Sequence, residues 1–172
     1  MKYNRIFGTL ALAIILALLA VAIPAPPVLA AESIILSPSK GEIDDRVYVD
    51  GSGFDYNKMV YIYFSSDRIG EGSDIDKLDT YEEVKSVRTG AEDGDAGEFY
   101  TSFYVPEELT EGDEEDVHGG KYYVYAAYSD DEILVRKEFT IIGISIDPKE
   151  GTVGTEVEIS GAGFDDDKDI TI

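Results

Sequence analysis

One stretch of this chain occurs twice, and the repeat limits the architecture more than any other feature. SPSKGEIDDRVYVDGSGFD, read from Ser37, returns as DPKEGTVGTEVEISGAGFD, read from Asp147, at a constant offset of 110 residues. Between residues 34–62 and 144–172, 10 of 29 positions are identical without a gap, among them Pro38, Gly41, Val47, Gly51, Gly53 and Phe54. Solenoid repeats run roughly 20–50 residues, so an offset this long marks a domain-sized unit. The expectation is one complete unit over residues 32–142 and the opening of a second over 143–172, as part of a longer tandem protein. The second stretch supplies two strands and the start of a third. An isolated hairpin is marginal in water, so this piece is expected to lie loosely on the first unit.

The N-terminus reads as an export signal. Lys2 and Arg5 precede Leu10–Ile23, an unbroken run of 14 apolar residues, and the prolines of PAPPV follow. That is the order of a secretory signal peptide, with Ala30 as the small residue before the cut. Residues 1–30 are therefore expected to be a signal helix and the rest to lie outside the cytoplasm, secreted or at the cell surface. An uncleaved anchor is the alternative, since the apolar stretch counted from Ile6 reaches 18 residues. With no cysteine in the chain, lipid attachment through cysteine, disulfides and thiolate metal sites are all excluded.

Charge narrows the partners. Residues 1–30 hold two of the 14 basic residues and none of the 36 acidic ones, so the remainder carries a formal charge of −24. Nucleic acid and anionic membrane surfaces are both bound through lysine and arginine, so neither is an expected partner. The acid falls in short runs between apolar segments, at residues 92–98, 107–116, 129–132 and 165–169. Those runs read as solvated loop tips on a folded domain rather than as a disordered acidic chain.

From Ser33 onward, short apolar alternations are punctuated by Gly, Pro and Asp, which is the pattern of an all-β domain. Seven segments read as strands: 34–36, 46–50, 59–64, 81–89, 98–105, 121–128 and 133–142. The fifth is the clearest, with Phe99, Thr101, Phe103 and Val105 on one face and Tyr100, Ser102 and Tyr104 on the other. The segment 81–89 is weaker, and Glu82, Glu83 and Lys85 would also suit a short helix. Residues 65–80 are polar and read as a long loop, and 129–132 as a hairpin turn. About seven strands at this spacing describe a β-sandwich.

Pro38, Gly41, Val47, Val49 and Gly51-Ser52-Gly53-Phe54 are followed by Gly97-Glu98-Phe99, Phe103, Val105-Pro106 and a closing hairpin between Tyr123 and Phe139. This succession resembles the IPT/TIG family, and Pro148, Gly151, Val157, Ile159 and Gly161-Ala162-Gly163-Phe164 resemble its opening again. The resemblance implies immunoglobulin-like domains of the early-set type, used as tandem modules of surface proteins and as accessory domains of extracellular carbohydrate-active enzymes. The acidic loop 65–80 and the insertion around 107–120 depart from that pattern.

Little in the sequence suggests catalysis. His118 is the only histidine and sits in a glycine-rich turn, whereas a catalytic base needs an orienting partner. Asp93, Asp95 and Glu98 place three carboxylates on a flexible turn, the oxygen-rich setting that calcium prefers. The same residues also read as a solvated turn leading into the Phe99 strand, with no cofactor at all. Tyr48, Tyr61, Tyr63, Tyr100 and Tyr104 alternate outward and are candidates for an aromatic surface that binds a sugar or a protein, although their strands can belong to different sheets. The expected function is non-catalytic: an immunoglobulin-like repeat acting as spacer or adhesion unit, with neighbouring modules of the same chain as partners. An accessory carbohydrate-binding module is the alternative.

Overall fold

The computed structural model of the protein describes residues 31–91, 94–129 and 132–164. The expected signal helix, Asp93 and the acidic run 165–169 lie outside the described residues. In chain order the strands are β1 (Ser33–Ser37), β2 (Lys40–Gly41), β3 (Arg46–Ser52), β4 (Met59–Ser65), β5 (Thr80–Arg88), β6 (Phe99–Tyr104), β7 (Glu108–Leu109), β8 (Glu111–Gly112) and β9 (Glu115–Asp116). They continue with β10 (Gly120–Ala127), β11 (Ile133–Ile141), β12 (Gly143–Asp147) and β13 (Glu158–Ala162). The helical element among the described residues is one 3-10 turn, Ile75–Lys77.

Two sheets face each other. One has three strands in the order β1-β3-β6, and the other six in the order β2-β11-β10-β4-β5-β8. The seven longer strands of this sandwich coincide with the seven segments legible as alternations. Segment 81–89 is strand rather than helix. β4 pairs along β5 from Met59↔Arg88 to Phe64↔Glu82, and those ladder bonds override the helix propensity of its glutamates.

Alternation places the core. Ile34, Val47, Val49, Phe99, Phe103 and Val105 from one side meet Val60, Ile62, Phe64, Tyr122, Val124, Phe139 and Ile141 from the other. Phe64 is central: its ring stacks on Tyr122 with centroids 5.1 Å apart and meets Phe139 edge-on at 6.0 Å. Side chains of this size contribute roughly 1.5–3 kcal/mol each when fully buried. Phe54, just after β3, closes one end of the core against Phe99 and Tyr128.

The loop 65–80 does more than its polar composition suggests. It folds back over the outer face of the six-stranded sheet, where Ile75 and Leu78 cover Tyr63, Tyr123, Tyr125 and Ile133 in a second apolar cluster. Gly72 N–H donates to Ile133 O at 2.8 Å and Ile133 N–H donates to Ser73 O at 2.8 Å, so the loop is paired to the start of β11. The Tyr125 hydroxyl donates to Asp67 O at 2.7 Å and accepts from Ile69 N–H at 3.0 Å. The insertion 107–120 joins the same assembly. The Glu115 carboxylate accepts from Ser66 Oγ at 2.6 Å and from Thr80 Oγ1 at 3.0 Å.

β12 and β13 form an antiparallel pair that copies β1 and β3 residue for residue. Ser33↔Ser52, Ile34↔Gly51 and Leu36↔Val49 recur as Gly143↔Ala162, Ile144↔Gly161 and Ile146↔Ile159, every position displaced by 110. Gly53 and Gly163 after the second strand both have positive φ, at 82° and 76°. The Ser37–Pro38 and Asp147–Pro148 peptides are both cis.

Candidate functional site

Strand pleating turns Tyr48 on β3 and Tyr100 and Tyr104 on β6 to the outer face of the three-stranded sheet, because their neighbours Val47, Val49, Phe99 and Phe103 point into the core. In the register of the pair, Arg46 lies opposite Tyr104 and Tyr48 opposite Ser102. Tyr48 and Tyr100 meet diagonally and stack, with centroids 5.8 Å apart and planes 13° from parallel. The Arg46 guanidinium lies 4.8 Å above the Tyr104 ring and donates to its hydroxyl. Hydrogen bonds to Tyr104 and then Tyr48 hold the Arg46 pKa above its ordinary value. Ile35 on β1 adds an exposed apolar side chain to the face.

Tyr61 and Tyr63 are elsewhere. They sit on β4 in the other sheet, against the second apolar cluster, where Tyr63 is 7% exposed and meets Tyr81 edge-on at 5.9 Å. The five tyrosines therefore make one exposed surface of three, with the other two turned toward the loop 65–80. Tyr63 is covered because Ile75 and Leu78, carried by a mostly polar loop, land on it. Arg46 belongs to the exposed face and was missed, although its place two residues before Tyr48 on an alternating strand was signal enough.

The acidic turn is built from backbone bonds. Glu98 N–H donates to Asp95 O at 2.9 Å, Gly97 N–H to Gly90 O at 3.2 Å and Phe54 N–H to Gly97 O at 3.2 Å. Gly97 has φ of 77°, and a Cβ there would lie 2.1 Å from Phe54 O, so only glycine lets the turn close over the Gly51–Phe54 bend. The Asp95 and Glu98 residues are exposed. No group of three or more Asp, Glu or His side chains is gathered to hold a metal among the described residues. His118 lies in the turn before β10; its N–H donates to the Tyr122 hydroxyl at 3.1 Å, and its Nδ1 lies 3.0 Å from Asp116 O.

The junction with the second hairpin is short and close. Ile142 alone separates β11 from β12, and its N–H donates to Gly41 O at 2.7 Å. A Cβ on Gly119 would lie 2.2 Å from Gly143 O, so two backbones touch where any larger residue would part them. Lys149 forms an ion pair with Asp116, and Lys40 Nζ donates to Gly163 O at 3.4 Å. The Lys149 ammonium holds the Asp116 carboxyl below the usual carboxylate range. His118, Ile144, Ile146, Asp147 and Lys149 line a cleft of about 560 Å³ beside this junction.

No protein-family model matches the chain, and no curated protein matches it. Among solved structures, macromomycin is similar in fold, with 15% sequence identity and a TM-score of 0.45 over 64% of this chain and 99% of that chain.

Proposed function

We propose that the chain is a secreted or cell-surface immunoglobulin-like repeat of the IPT/TIG type that acts as a structural spacer or adhesion unit. The observation that carries this reading is the second hairpin, which repeats the first in register and follows the sandwich after one intervening residue. A spacer has to transmit orientation from one unit to the next. A single-residue linker with glycine-to-glycine backbone contact restricts swing by sterics alone. The Lys149–Asp116 pair is exposed and adds little energy, but it biases the same arrangement. The apolar run Leu10–Ile23 and the absence of cysteine support export without lipid attachment through cysteine.

Paired spin labels at Ser102 and Ser160 of the full chain test the reading. A narrow distance distribution that broadens when a Gly-Ser-Gly insert follows Ile142 is expected. A distribution already broad in the wild type removes the spacer reading. Because the Asp116 pKa is depressed, its contribution is present above the ordinary aspartate range and is lost as pH falls through the depressed value.

A second reading, an accessory glycan-binding module, is favoured by the stacked and exposed Tyr48–Tyr100 pair beside Arg46 and Tyr104. Tyrosine faces suit sugar rings because each combines an apolar plane with a polar tip. The chain has no tryptophan, so intrinsic emission reports tyrosine directly. Saturable change of that emission with an oligosaccharide, absent in Tyr48→Ala/Tyr100→Ala, would establish this reading, and no change across a glycan panel would retire it.

A further inference from the structure

The start of β4, the end of β5 and the end of β10 converge at one end of the six-stranded sheet, and a cleft of about 320 Å³ opens there. Tyr61 and Tyr128 supply its aromatic lining, and Lys58 and Arg88 its charge. The rest of the lining, which includes Asn57, is uncharged. Two cations therefore line the cleft with no carboxylate among the described residues that form it. In a chain with 36 acidic and 14 basic residues, that is a local reversal of charge. Lysines elsewhere are paired with acids: Lys77 with Asp74, Lys121 with Glu138 and Lys149 with Asp116.

The local fold holds these groups in place. Thr89 is 3% exposed; its hydroxyl donates to Asp55 O at 2.7 Å and accepts from Lys58 N–H at 2.9 Å, tying the turn before β4 to the end of β5. Thr89 N–H donates to Lys58 O, and Met59 pairs with Arg88, so the two cations come from neighbouring rungs. Asn57 has φ of 56°, in the left-handed region that asparagine visits more readily than most residues. Arg88 Nη1 donates to Asn57 O at 3.0 Å and to Asn57 Oδ1 at 3.3 Å, which fixes one edge of the guanidinium. Its other N–H groups and the Lys58 ammonium have no acceptor among the described residues. The Tyr128 hydroxyl accepts from Asp55 N–H at 2.6 Å, so that ring is fixed as well.

We infer that this cleft binds a single acidic sugar residue, a hexuronate, with its carboxylate between Lys58 and Arg88 and its ring against Tyr61 and Tyr128. Guanidinium and ammonium donors form short, charge-assisted bonds to a carboxylate. A tyrosine offers an apolar plane to the C–H face of a sugar and a hydroxyl to its polar rim. The volume lies near the lower bound of small-ligand sites, about 300 Å³, and so suits one ring rather than a chain. A polyanion is disfavoured, because beyond the cleft its further charges meet the acidic surface of the chain. A single carboxylate is governed by the two nearest cations, since salt screens exposed charges beyond about 8 Å. The site lies on the six-stranded sheet, whereas the Tyr48–Tyr100 pair lies on the three-stranded one, and it is independent of the spacer reading.

The test titrates the isotope-labelled full chain with sodium galacturonate, with glucose and sodium acetate as controls. Saturable amide shifts at the start of β4, the end of β5 and the end of β10 are expected with millimolar galacturonate. Its methyl ester keeps the ring and removes the charge, and should bind at least about tenfold more weakly. Lys58→Gln removes a charge without breaking a side-chain contact among the described residues, and should weaken binding by a similar factor. Arg88→Gln should do the same, with its thermal midpoint showing that the Asn57 turn survives. No shift at millimolar galacturonate overturns the inference. So do equal shifts with acetate, which mark a general anion contact, equal shifts with glucose, which leave the carboxylate without a role, and undiminished binding by Lys58→Gln.

Discussion

The hairpins β1–β3 and β12–β13 are a comparison made by the molecule itself. Their sequences are related, their cross-strand partners are the same, and the glycine that follows each adopts the same left-handed φ. Their burial is opposite. Ile34 is fully covered and Ile144 is 40% exposed; Val49 is fully covered and Ile159 is 46% exposed; Phe54 is 5% exposed and Phe164 39%. Local geometry therefore belongs to about twenty residues and their turn chemistry, while burial belongs to the strands that arrive from elsewhere. Phe54 rests against Phe99 and Tyr128, neither of which has a counterpart near Phe164 among the described residues. Among the described residues, the core covers the first hairpin and leaves the second exposed.

The contrast is sharpest at the matched phenylalanines. Phe54→Ala should cost about 3–5 kcal/mol in urea unfolding of the sandwich, as for other buried Phe→Ala changes. Phe164→Ala should stay within about 0.5 kcal/mol, as for surface substitutions away from special features. Equal losses would mean that the second hairpin has a core of its own.

A smaller effect separates the matched glycines. Gly51→Ala drives a methyl into the Phe99 ring and should cost about 1–3 kcal/mol. Gly161→Ala meets only the partly exposed Phe164 ring, which can swing away, so the thermal midpoint should not move.

Alkali should distinguish the two regions next. Burial pushes the Tyr122 phenol from 10.0 up to about 12, and residues 143–172 contain no tyrosine. Between those two values the folded state holds a proton that the unfolded state has lost. The stability contribution is therefore present below pH 10 and disappears as pH rises through about 12. Loss of sandwich circular dichroism should track tyrosinate absorbance in this window. Tyr122→Phe, which keeps the stack on Phe64, should flatten the dependence.

The smallest effect concerns the acidic turn, which is held by backbone bonds to the Gly51–Phe54 bend of the first copy. Millimolar calcium should leave the unfolding midpoint where magnesium leaves it, and Asp95→Asn should change nothing further. A calcium-specific rise would reveal a native-state site, because a ligand that binds only the folded form stabilises it.

Much of this was legible in the chain. The 110-residue offset located both hairpins, and period-two alternation located the seven long strands and their inward faces. Tyr48, Tyr100 and Tyr104 were placed outward by the same rule, because pleat direction follows from residue parity alone. Parity could not say which strands share a sheet, so it grouped Tyr61 and Tyr63 with a surface that lies on the other layer. It also could not anticipate the loop 65–80 closing over Tyr63 and Tyr125. That cover depends on three apolar side chains, Ile69, Ile75 and Leu78, spaced without period in a polar segment. The Lys149–Asp116 pair, 33 residues apart, and the Gly119–Gly143 contact had no local signal either.

By itself, then, the sequence determined what short-range sterics and hydrophobic alternation determine: the repeat, the strands, the turns and the direction of each side chain. Tertiary structure alone decided which of two like hairpins has a core and which tyrosines stay exposed. It also decided which residues hold the β12–β13 hairpin to the rest of the chain, Lys149 with Asp116 and Gly143 with Gly119. Those outcomes depend on contacts between segments far apart in the chain, which no residue's own neighbours encode.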